Sequence, residues 1–162
     1  MTAEDYKEGQ VILIDKPLEW TSFQAVNKVR WLIRKSFGIK KIKVGHAGTL
    51  DPLATGLLII CTGKFTKKID TFQAQEKEYT GTFSLGATTP SYDLETEIDQ
   101  TFDISSITEA QIHEATQQFI GEIQQRPPVF SALKKEGKRL YEYARAGEEV
   151  KIASRAIHIS AF

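Results

Sequence analysis

The stretch from Val44 to Cys61, VGHAGTLDPLATGLLIIC, constrains the fold of this chain more than any other, because it sets a glycine-rich loop directly before an apolar run. Leu57 to Cys61 supplies five consecutive apolar residues closed by Thr62 and Gly63, the pattern of a short buried strand. Gly45, Gly48 and Gly56 bracket the loop and permit turns, or close approach of a ligand, that larger residues would block. One carboxylate, Asp51, stands inside it. Pro52 fixes its own φ and biases Asp51 toward an extended backbone. Asp before Pro is more often a turn opener than a catalytic group, so only the whole stretch lifts Asp51 above that reading.

The segment GHAGTLDPLATGLL resembles the catalytic signature of the TruB type of pseudouridine synthases. Those enzymes isomerise a uridine in the T loop of transfer RNA, and the resemblance places their catalytic aspartate at Asp51. His46 by itself reads as a satisfied structural histidine; the resemblance implies that it helps to splay the RNA loop. Guide-RNA-dependent enzymes of archaea and eukaryotes share much of this motif, so it fixes chemistry better than substrate.

At 162 residues, with ordinary apolar and charged fractions, the chain is expected to form one domain, an incomplete one. No apolar run is as long as a membrane span and the start, MTAEDYKEG, lacks a secretory pattern, so a cytoplasmic protein without membrane association is expected. Cys61 has no cysteine partner, and three isolated histidines give no metal-ligand spacing; no metal and no cofactor are expected. Formal net charge is zero, yet the charges are segregated. Trp20 to Leu50 holds seven Lys and Arg and no acid, whereas Glu78 to Gln125 holds nine acids and no Lys or Arg. Any one such cluster is more often a solvated face, but a basic face beside the Asp51 motif suits RNA phosphates.

In chain order, Gln10 to Asp15 predicts a strand ended by Lys16-Pro17. Thr21 and Gln24 form a capping box, and Phe23, Val26, Val29, Ile33 and Phe37 recur at helical spacing up to Gly38. Strand, Asp-Lys-Pro, Thr-Ser and helix is also the family's usual opening, with Glu19 departing from the glycine that many members carry. Phe65, Ile69 and Phe72 suggest a short helix. Lys77 to Gly86, KEYTGTFSLG, alternates with the period of a half-buried strand. A tyrosine there is usually core with its hydroxyl reaching a partner; the resemblance instead implies that Tyr79 stacks on the target base, with Lys77 as a basic neighbour on the substrate. The acidic stretch from Ala87 to Ser106 lacks the glycine and closing glutamate of a calcium loop and reads as a solvated edge. Thr108 and Gln111 cap a further helix stopped by Gly121, with His113 at the surface.

From Gln124 to Gly147 the sequence predicts a short strand over Phe130 to Leu133, a turn at Lys135 to Lys138 and a short helix ending at Gly147. Lys134, Lys135, Lys138 and Arg139 interleave with Phe130, Tyr141 and Tyr143, a mixture that is commonly packing but suits phosphate contact and stacking. PPVFSALKKEGKRLYEYAR resembles the family's RNA-gripping thumb, which implies RNA contacts at those four residues and favours the stand-alone bacterial type. Val150 to Ile152 and Ala156 to Phe162 read as closing strands. Against the family, the chain looks truncated: a Gly-Thr-Tyr-Ile-Arg type motif, whose arginine pairs with the aspartate, and a C-terminal RNA-binding module lie beyond it. The unfinished sheet edge invites self-association.

The resemblance implies an α+β fold: a mixed, mostly antiparallel sheet flanked by helices. It implies a tRNA T-arm partner and an isomerase in which Asp51, ionised near neutrality at a reference pKa of about 3.9, acts on a flipped-out base as nucleophile or base. Without the arginine motif, the 162 residues alone are expected to be inactive. A non-catalytic tRNA-binding or RNA-folding protein is the alternative.

Overall fold

The computed structural model describes residues 1–131 and 133–162, and at Lys134 and Lys135 the backbone alone. Elements are numbered in chain order, in two compact units, Met1–Thr80 and Gly81–Phe162.

In the first unit the apolar run after the glycine loop becomes β3 (Gly56–Thr62), which is paired on both edges. β1 (Val11–Lys16) runs antiparallel along one side, from Val11 opposite Cys61 to Lys16 opposite Gly56. β2 (Val44–His46) takes the other, with His46 opposite Ile60. Ile60 and Cys61 have no exposed surface. α2 (Ser22–Phe37) starts at the expected Thr21–Gln24 capping box and stops at Gly38, whose φ of 63° closes it in the left-handed conformation. Ala25, Val26 and Ile33 of α2 pack with Ile42, Val44, Leu58 and Ile60. Each large aliphatic side chain buried in this way contributes about 1.5–3 kcal/mol. The helical stripe is narrower than the sequence suggests: Phe23 at its start is exposed.

α1 (Ala3–Glu8), capped by Thr2 and Asp5, is tied to the end of β3. The Thr62 hydroxyl donates to the Tyr6 carbonyl at 2.9 Å and accepts the Gln10 N–H at 3.0 Å. After β3 a 3-10 helix, Gly63–Lys68, leads into α3 (Ile69–Gln73), matching the short helix expected there.

The second unit is built from short ladders. β4 (Ala87–Thr88) pairs with β5 (Gln100–Thr101), and α4 (Glu109–Gln117) starts at its Thr108–Gln111 capping box. β6 (Gly121–Gln125) pairs with β9 (Arg155–Ile159). β7 (Lys134–Lys135) and β8 (Lys138–Arg139) form a hairpin, and α5 (Leu140–Ala146) ends at Gly147 as expected. Glu136 and Gly137 carry the turn with φ of 52° and 86°, positive at both central positions as tight hairpins require. Helices with antiparallel sheets make this an α+β fold, and every described strand pair is antiparallel.

Several sequence expectations need correction. Lys77 to Gly86 is not a strand: residues 76–84 are irregular, and Tyr79 and Phe83 are 74% and 78% exposed. Alternation supplies a face, but a strand also needs a neighbour to hydrogen-bond, and no described ladder includes this segment. Phe130 and Ser131 bend instead of extending, because the carbonyls of Ser131 and Leu133 accept the Tyr141 and Leu140 N–H groups that open α5. Val150 to Ile152 is irregular, and Val150 and Lys151 border a cavity with Arg126, Val129 and Ala144. The last strand ends at Ile159, so Phe162 is outside the ladder, its ring 5.6 Å from that of Phe119. Gly121 opens β6 rather than stopping α4, which ends at Gln117.

Glu19, in the turn between β1 and α2, has φ of 65°. That left-handed conformation costs an L-residue about 1–2 kcal/mol that glycine largely avoids. Glu19→Gly is therefore expected to raise unfolding stability by about 1 kcal/mol, read as a higher urea midpoint at unchanged m-value; a lower midpoint would show that the turn does not store this strain.

Candidate active site

Asp51 lies on the loop between β2 and β3, and the loop is braced from two sides. Its own carbonyl accepts the Ala54 N–H at 3.0 Å, closing a turn with Pro52 in the second position, where its fixed φ is favourable. The Ser22 hydroxyl, buried at the first turn of α2, donates to the Leu50 carbonyl at 3.0 Å and accepts the Leu50 N–H at 2.9 Å. The Pro52 carbonyl accepts the Glu19 N–H at 2.8 Å. Residues on both sides of Asp51 are thus anchored to the start of α2. Gly48 and Gly56 turn the chain into and out of the loop with φ of 107° and 118°, and open space surrounds the position of a Cβ at each. Conformation, not room, makes glycine necessary there.

Lys16 is the site residue that the sequence reading missed. On β1 it follows Ile12 and Ile14 on the face that packs beneath α2, and none of its surface is exposed. Its ammonium donates to the Trp20 carbonyl at 2.6 Å and the Pro17 carbonyl at 3.0 Å. Burial pulls its pKa below the ordinary 10.5, and the charge of Asp51 pushes it back up. A buried cation with two carbonyl partners is tolerable where an unpaired one is not, and here it also supplies positive potential to the candidate carboxylate. The period of two through Ile12, Ile14 and Lys16 was the available signal.

His46 continues β2 toward the loop, half-buried, with Nδ1 2.6 Å from the Gly48 carbonyl oxygen. A carbonyl only accepts, so Nδ1 carries the hydrogen and Nε2 is the accepting nitrogen of the neutral ring. Tyr79 sits on the irregular, exposed segment after α3, with no ladder to fix it beside Asp51. Lys77 donates to the carbonyls of Gln73 and Gln75 at 2.6 and 2.7 Å and so closes the end of α3. In the second unit, the exposed Lys138 ammonium lies 5.4 Å from the centre of the Tyr143 ring and the Arg139 N–H donates to Glu142 at 2.6 Å. The side chains of Lys134 and Lys135 lie outside the described residues. The structure therefore couples Asp51 to Lys16, puts His46 on the strand that leads into the same loop, and carries Tyr79 on an exposed segment without a ladder.

The family description "TruB family pseudouridylate synthase (N terminal domain)" matches residues 34–162. The chain belongs to the TruB family. Among relatives, tRNA pseudouridine synthase B of Flavobacterium johnsoniae is 68% identical over all of this chain and 71% of its own length. The enzymes of that name from Phocaeicola vulgatus and Chloroherpeton thalassium are 59% and 51% identical over 96% of this chain. The chain spans 66% and 64% of those two relatives. The TruB match takes in the Asp51 loop, β3, the Tyr79 segment and the β7–β8 hairpin. No helix among the described residues is long and apolar enough to cross a membrane.

Two measurements test the frame. Ser22→Ala strands the Leu50 N–H and carbonyl and is expected to cost about 1–3 kcal/mol of stability, measured by urea denaturation; a change within error would show that the loop does not depend on this hydroxyl. A lysine whose folded pKa is depressed binds its proton less well folded than unfolded. Its burial cost is present below the folded pKa and is relieved as pH rises through it toward 10.5. Asp51→Asn removes the opposing charge, so Lys16 is expected to titrate at lower pH than in the wild type by NMR of its side-chain carbon; an unchanged midpoint would separate the two charges.

Proposed function

We propose that Asp51 is the catalytic carboxylate of an enzyme that converts a uridine in the T loop of tRNA into pseudouridine. The observation that carries this reading is the braced turn: a carboxylate on the TruB motif, fixed through its neighbours and held in the field of a buried lysine. The reaction breaks the bond from ribose to uracil N1 and joins the ribose to C5. A proton leaves C5 and one is gained at N1, so nothing is oxidised or hydrolysed overall.

Such a carboxylate serves as nucleophile or base, beside the charge of Lys16. Uridine in a folded loop is stacked, so the base must be extruded at a cost on the order of a few kcal/mol. Tyr79, open to solvent, offers a ring whose stacking on the base returns roughly 1–3 kcal/mol. His46, with Nε2 as acceptor, is suited to the displaced loop, and Lys77 to a nearby phosphate once released from its carbonyls. The β7–β8 hairpin, with Lys134, Lys135, Lys138 and Arg139, is the proposed thumb on the T arm. In the family an arginine of a later motif completes the aspartate's surroundings, and the relatives are longer than this chain.

The test is pseudouridine formation on an unmodified tRNA T arm by three proteins: these 162 residues, a version extended to the relatives' length, and the extended version with Asp51→Ala. The extended wild type is expected to be active and the short chain inactive, with Asp51→Ala slower by about 10²–10⁴-fold or more. An active Asp51→Ala protein would overturn the catalytic assignment. Tight tRNA binding with no product from the extended wild type would favour the binding-only alternative.

A further inference from the structure

We propose that the outward face of α2 is a second RNA-contacting surface, on which Trp31 takes the face of an unpaired base while Lys28 and Lys35 hold its flanking phosphates. The inference rests on the RNA substrate proposed above, but concerns residues outside the Asp51 frame. Trp31 is 49% exposed on a helix whose opposite side makes the core of the first unit. Two ammonium groups lie against its ring, Lys28 at 5.1 Å and Lys35 at 4.7 Å from the ring centre. They stand three residues before and four residues after it, so all three side chains share one face. Leu32 and Arg34 beside them are also exposed, and the segment from Trp20 to Leu50 contains no acid.

Charge decides the kind of partner. Arg30 is already committed, donating to the Asn27 side chain and to the Val44 carbonyl at 2.9 Å, whereas among the described residues Lys28 and Lys35 have only the ring. An exposed cation–π contact is weaker than stacking of a base on an aromatic ring. A base can therefore displace an ammonium from the indole, and the flexible lysine then reaches the adjoining phosphate. A polyanion with a flat, unpaired base satisfies all three groups at once; an acidic protein surface satisfies only the lysines.

The test uses Trp20→Phe protein, in which Trp31 is the remaining indole, titrated with a tRNA transcript and separately with inorganic polyphosphate. We expect tRNA to quench Trp31 fluorescence and polyphosphate to leave it nearly unchanged. Trp31→Ala is expected to weaken tRNA binding about tenfold and Trp31→Phe to restore much of it. Lys28→Ala with Lys35→Ala is expected to flatten the slope of log affinity against log salt by about 1–2. Equal tRNA affinity in wild type and Trp31→Ala would overturn the inference and leave this face to an acidic protein surface. Quenching by polyphosphate equal to that by tRNA would overturn the stacking. No tRNA binding by the wild type extended to the relatives' length would overturn the RNA reading of the Asp51 site as well.

Discussion

The double pairing of β3 is the constraint on which the rest of the first unit depends. Where the strand is bonded on both edges, from Ile60 to Thr62, its backbone groups have partners, so the buried Ile60 and Cys61 can face packed neighbours without stranded polar atoms, while Leu58 is paired to β1. β1 and β2 fix where the chain enters and leaves the glycine loop, and α2 closes over the side where Ile60 lies. Asp51 needs no regular structure of its own. It inherits position from a strand that begins five residues later and a helix whose first turn contains Ser22.

Electrostatics and backbone strain meet in the turn from β1 to α2. The Lys16 ammonium is held there by the carbonyls of Pro17 and Trp20, and Glu19 takes a left-handed conformation while its N–H reaches the Pro52 carbonyl. A carbonyl-lined pocket for a cation and a strained peptide sit within four residues of one another. Such features persist when surrounding structure over-determines them, and here the same segment braces the loop that carries the carboxylate.

What was legible in the sequence was local or doubly signalled. The capping boxes at Thr21 and Thr108 were readable because cap and partner are three residues apart. The Leu57 run was readable because a fully buried strand is apolar throughout. The family motif named Asp51, which no periodicity could have done. Lys77 to Gly86 misled because alternation describes one strand's faces, whereas existence of the strand depends on a partner elsewhere. Phe130 and Ser131 misled because the Ser131 and Leu133 carbonyls serve the start of α5, a contact made across the hairpin. Lys16 was overlooked because lysine is assumed to be exposed; its place on the same face as Ile12 and Ile14 was the clue.

Cys61 gives the double pairing of β3 a chemical consequence. Its thiol is fully buried, and desolvation raises its pKa, so the thiolate that reacts with alkylating or oxidising reagents is suppressed in the folded chain. Reagent reaches the sulfur when β3 separates from its neighbours. With a single cysteine in the sequence, modification counts openings of this one strand, making Cys61 a built-in clock for how often the scaffold beneath Asp51 comes apart.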